Sequence, residues 1–281
     1  MNQRGPFEAS LAAKEYDEAS VFAPEHLLRE ARRQKGLRET AVPDVCALDP
    51  DGDIVRRLKE AGRAARDPSW ACYHTDLYSF EHEGSRCGII GCAVGGPFAV
   101  LVAEELFASG CRFLVSMTSA GRIAETRDPP YFVVIDRALR DEGTSYHYVP
   151  PSVWSAANEA LVTAVHGDLA GFRVPVDRGA SWTTDAPFRE TATAIRRARA
   201  LGVLAVEMEA AALYAFARAR GRAVLCFAHV TNTMGFAHVT NTMGGAALDF
   251  EKGVSDGVFD ALEIVASARR TWERRERSEI A

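Results

Sequence analysis

The residues best suited to chemistry are Glu207-Met208-Glu209, where the apolar run 203–206 gives way to Ala210-Ala211-Ala212. Two carboxylates there stand where a buried strand turns into an apolar helix. Ligand crevices of α/β sheets lie at the carboxyl ends of strands, and a helix N-terminus favours a carboxylate. Glu209 can accept hydrogen bonds from two neighbouring hydroxyls, as on a ribose. Acids in so apolar a stretch need partners, because an unpaired buried charge is costly. Gly95 and Gly96, before Pro97, form a second candidate. Glycines let a ligand approach the backbone, and free amides at a helix start hold an anion or an oxygen; a purely structural turn would use the same residues. Thr118 and Ser119, small hydroxyls after the apolar run 113–115, suit a site wall. Trp182, Thr183, Phe188 and Arg189 offer two aromatics and a guanidinium to stack on and read a heterocycle. The alternative there is core packing, with Thr184 or Asp185 capping a following helix.

Alternating strands and helices must position these groups. Residues 1–22 read as a loose extension and 23–281 as one unit. Pro24 opens a helix that Gly36 ends. A strand is expected over 42–48, a turn at Asp49-Pro50-Asp51-Gly52 and a helix over 54–65. Strands follow over 70–80 and 86–94, a helix over 98–108, and strands over 112–117 and 132–135. A helix is expected from 151 to about 166, a strand over 172–177 and a helix over 188–201. The strand 203–206, the helix 208–220, the strand 223–229 and a helix over about 254–273 complete the order. Such alternation implies an α/β architecture around a largely parallel or mixed sheet.

The chain has 281 residues, with 33 Lys and Arg against 38 Asp and Glu. A net charge of −5 gives no global attraction to nucleic acid or an anionic membrane. Six cysteines without a C-x-x-C pair read as free thiols of a reducing compartment. The most apolar stretch, 87–103, is interrupted by Gly95-Gly96-Pro97, which breaks a spanning helix. The N-terminus lacks an apolar signal core, so a cytoplasmic protein is expected. The histidines show no metal-ligand spacing, so no metal is expected. Residues 227–235 recur without change as 236–244. The first copy continues the apolar run 223–226 and is expected to be the strand, with the second copy an extra loop.

Gly95-Gly96-Pro97, Thr118-Ser119-Ala120-Gly121, the segment 143–148, Glu207-Met208-Glu209 with its alanines, and Val230-Thr231-Asn232 occur in this order. On these motifs the chain resembles, over about residues 40–270, the nucleoside phosphorylase family and within it the uridine phosphorylase branch. The resemblance implies a single-domain three-layer α/β/α phosphorylase-type fold with a central mixed sheet. It implies cleavage of the N-glycosidic bond of a nucleoside, with phosphate as co-substrate attacking C1′ and no other cofactor. Met208 and Glu209 would hold the ribose. Glu207, Trp182, Thr183, Phe188 and Arg189 would surround the base, and Gly95, Gly96, Thr118 and Ser119 the phosphate or other nucleophile. Asn232 takes the place of the acidic proton donor of purine-cleaving members and would stabilise a pyrimidine by hydrogen bonds; Asn241, in the second copy, is the alternative. The family's assembly as dimers or trimers of dimers implies a homo-oligomer, with Tyr146 and His147 near the contact.

The departures concern phosphate. The family's first loop is Gly-Asp-Pro followed by Arg, whereas this chain has Asp49, Asp51 and Asp53 and no Arg over 48–54. Ser116 stands where a second Arg is expected, and 73–80 holds no third. Phosphate needs charge-assisted donors. A nucleosidase using water, with His74 as a candidate base, is therefore the alternative activity. Arg122 is a candidate anchor if phosphate is kept, and a non-catalytic nucleoside-binding protein is the third reading.

Overall fold

The computed structural model describes residues 14–232 and 257–280. Strands β1 (Val45–Asp49), β4 (Ser85–Gly91), β5 (Phe113–Arg122) and β10 (Ala223–Asn232) lie parallel in the order β4-β1-β5-β10. Their near-continuous apolar runs are what strands covered on both faces require. β2 (Ala64–Arg66) and β3 (Tyr78–His82) extend the β4 edge with antiparallel pairings. On the other side β10 pairs antiparallel with β6 (Tyr131–Asp141), which also carries the short β7 (Trp154–Ala156). β6 pairs with β8 (Val176–Thr184) and β8 with β9 (Val203–Glu207), both in parallel. β9 then meets β5 at Gly121–Val206 and Arg122–Ala205, so five strands of the mixed sheet close into a ring.

Helices cover both faces, as the α/β reading requires. On one face α3 (Gly96–Ala108) and α6 (Ala210–Arg220) share a core with the sheet, and α1 (Pro24–Lys35) packs at its margin. On the other lie α2 (Asp53–Glu60), α4 (Glu159–Asp168) and α7 (Val258–Ile280). α5 (Ala192–Ala200) packs a small separate core against β8 and β9. α6 is buried from Ala210 to Phe216, as a helix apolar on all sides must be, and Gly221 ends it in the left-handed region at φ 61. Among the described residues no helix is long and apolar enough to cross a membrane.

Several boundaries differ from the sequence expectation. β5 runs on through Arg122, so Thr118 and Ser119 lie within the strand, held there by pairing with β10. β8 runs to Thr184, which takes Trp182 and Thr183 into the sheet; Thr191, not Thr184 or Asp185, caps α5 by accepting from the Ala194 amide. The expected strand 70–80 shrinks to β3, which starts only at Tyr78, α2 stops at Glu60, and β7 precedes a helix that Asn158 caps. The first repeat copy supplies β10 from Phe227 to Asn232, whereas the second copy lies outside the described residues.

Candidate functional site

β9 ends on Glu207, and Met208 and Glu209 form the step into α6. Glu207 Oε1 accepts from Ser181 Oγ at 2.9 Å and Thr183 Oγ1 at 2.5 Å. Its Oε2 accepts from the amides of Glu209 and Ala210, both at 2.7 Å. Thr183 Oγ1 in turn accepts from the Ala211 amide at 2.9 Å. The first amides of α6, which no helical carbonyl can serve, are thus satisfied from β8 and β9. Glu207 and Thr183 are two of the residues that the resemblance places around the base. Their polar atoms are spent inside the protein, where Glu207 is 3% exposed and Thr183 fully buried. Trp182 is a third: its ring packs with Ile123, Val203 and Val206, and its Nε1 donates to Asp141 at 2.9 Å. Phe188 and Arg189 stand apart on an exposed 3₁₀ turn, Phe188 almost wholly in solvent.

Glu209 has a different environment. It is 1% exposed and lies where α6, α3 and β5 converge. Oε1 accepts from the Gly95 amide at 2.7 Å and Oε2 lies 3.0 Å from Thr118 Oγ1. Burial, then the charge of Glu207, pushes its pKa up to about 8. Burial also raises Glu207, and its four donors oppose that rise. The Thr118 hydroxyl donates to Glu209 Oε2, with the Ser119 carbonyl 3.2 Å away as its other acceptor. Gly95, at φ 87, and Gly96 begin α3. A Cβ on Gly96 would lie 3.0 Å from that of Ala212, so glycine lets the two helix starts approach.

The expected nucleophile region is acidic. Asp49 is 2% exposed, accepts from the Val55 amide at 2.9 Å, and is pushed up to about 7 by burial. Asp51 Oδ2 accepts from the Ser119 amide at 2.9 Å. A carboxylate therefore sits on a donor that the resemblance gives to phosphate. Ser116 Oγ is buried without a hydrogen-bond partner. Arg122 is turned to the carbonyl of Arg127 at 3.1 Å and to Asp128 at 3.3 Å. His74 is exposed on the loop after Cys72. Asn232 ends β10 with its backbone beside Gly121, and Asn241 lies outside the described residues. The sequence signalled the Asp49–Asp53 substitution but not that Asp51 would reach Ser119, a contact made across the chain.

His82, Glu83 and Glu263 come within 4.8 Å of one another, a grouping that spacing did not reveal. Glu83 is bonded there by Arg269 and Arg270, so the group is already charge-compensated.

Guanosine phosphorylase of Halorubrum lacusprofundi is 24% identical over 145 residues, 52% of this chain and 60% of that protein. The match thus spans less than two thirds of that relative. The fold is similar to the crystal structure of uridine phosphorylase from Vibrio fischeri ES114, with a TM-score of 0.60 and 19% identity over 84% of this chain and 89% of the other. The sequence profile of the phosphorylase superfamily matches residues 66–256, a stretch that holds the ordered motifs from Gly95-Gly96-Pro97 to Val230-Thr231-Asn232: this chain belongs to the phosphorylase superfamily.

Proposed function

We propose that the chain cleaves the N-glycosidic bond of a nucleoside and transfers the pentosyl group to an oxygen nucleophile, phosphate being the acceptor of its named relatives. The observation that carries this reading is the buried Glu209 carboxyl between the Gly95 amide and Thr118, at the carboxyl ends of the strands, where α/β sheets bind their ligands. Glu209 accepts the ribose hydroxyls and Met208 packs against the sugar. As the bond from C1′ to the base nitrogen breaks, positive charge builds on the ribose ring and the ionised Glu209 stabilises it. Asn232 hydrogen-bonds the leaving base, and Phe188 and Arg189 close over it. Gly95, Gly96, Thr118 and Ser119 border the incoming oxygen. The enzyme works in the cytoplasm as a homo-oligomer.

The second reading makes water the acceptor. The Asp51–Ser119 contact favours it, because a carboxylate beside the attacking oxygen repels phosphate but takes a proton from water. Product analysis on purine and pyrimidine nucleosides, with and without phosphate, tests both. Free base plus ribose 1-phosphate, formed only with phosphate, supports phosphorolysis. Free base plus ribose without phosphate supports hydrolysis. No turnover of any nucleoside overturns both in favour of a binding protein.

A further inference from the structure

At the end of α6 away from Glu209 the molecule carries a second cleft of about 620 Å³. Arg218 and Arg222 line it with Arg275, beside Trp272, Glu276 and the α4 cap Asn158. The guanidinium groups of Arg218 and Arg222 have no carboxylate partner among the described residues; Arg222 lies 5.4 Å from the centre of the Phe107 ring. Glu276, the acid in the lining, is bonded by Arg112 at 2.6 Å. The positive end of α4 also opens here, because Asn158 caps that helix by accepting from the Leu161 amide. Glu159, in its first turn, does not cancel that field: both its oxygens are held by Arg178, at 2.8 and 2.7 Å.

The cleft therefore gathers the guanidinium groups of Arg218 and Arg222 and a helix N-terminus beside one neutralised acid, in a protein of net charge −5. Guanidinium forks match phosphate oxygens in pairs. The volume lies in the range of sites for small organic molecules and far exceeds a bare phosphate. We infer that this cleft is a second ligand site, for a phosphorylated small molecule of mononucleotide size. It is separate from the Glu209 site and does not depend on the function proposed there.

The test is calorimetric titration of the full chain carrying Glu209→Ala, which removes ribose binding at the other site. The probes are uridine and guanosine 5′-monophosphates, the corresponding nucleosides, and inorganic phosphate. The inference expects saturable binding of a monophosphate, tighter than that of its nucleoside or of phosphate. It expects at least a tenfold loss of affinity in Arg218→Ala/Arg222→Ala with the melting temperature unchanged. Charge reversal at Arg218 and Arg222 should abolish binding. Absence of saturable binding, or binding that these substitutions leave intact, overturns the site. Equal affinity for phosphate and the monophosphates overturns its mononucleotide size.

Discussion

Glu207 and Glu209 are two residues apart and both buried, yet their partners differ. Four donors oppose the rise that burial gives Glu207, whereas Glu209, with fewer donors, is pushed up to about 8 and so keeps its proton at neutral pH. Two donating ribose hydroxyls require an ionised acceptor. Nucleoside binding should therefore release a proton, and affinity should strengthen as pH rises toward about 8 and then level off. Titration in buffers of different ionisation enthalpy checks this; a proton count of zero at pH 7 would rule it out. The fold pays for the same shift. Because the unfolded carboxyl ionises near 4.5 and the folded one near 8, stability falls as pH rises between those values. Glu209→Gln should flatten that decline in melting temperature. Glu207→Gln should instead destabilise by about 1–3 kcal/mol, because an amide nitrogen would face two donors. The sequence made the acid pair legible, since carboxylates in an apolar run demand partners. Which acid serves α6 depends on Ser181 and Thr183 of β8, distant in the chain, and local spacing carries no trace of that.

The Glu209 site depends on α3 and α6 starting close together, and Gly96 is the contact that allows it. A methyl group there would lie 3.0 Å from the Ala212 Cβ and would force the helix starts apart. We expect Gly96→Ala to cost about 1–3 kcal/mol, as overpacked cores do. Because the Gly95–Glu209 bond spans the same junction, activity should fall more steeply than stability. A denaturant titration beside kcat/KM for the best nucleoside checks this; equal losses would mean that the glycine serves packing alone. The strand-helix alternation that builds this junction was legible from apolar runs and turn residues. The strand ends were not. β5 and β8 extend beyond their apolar cores because β10 and β6 offer them continued backbone pairing, so hydroxyl residues that resemble loop in sequence become strand.

On the scale of the molecule, β10 joins the parallel strands to the closed ring, since it pairs with both β5 and β6. The exact nine-residue repeat begins inside it. Because the copies are identical, deleting 236–244 leaves the sequence from 223 to 235 unchanged. A strand that begins at Ala223 and passes without interruption into Phe227 needs only the first copy. The deletion variant should therefore keep its cooperative transition, with a melting temperature within a few degrees of the full chain. Phe227 is fully buried in β10, and Phe227→Ala should cost about 3–5 kcal/mol. The decisive comparison is that cost in the two backgrounds, a cycle that isolates any coupling between copies. Equal costs mean that the second copy cannot stand in for the first. A much smaller cost in the full chain would mean that Phe236 replaces Phe227, which would require the chain between Cys226 and Phe236 to loop out of the middle of a fully paired strand.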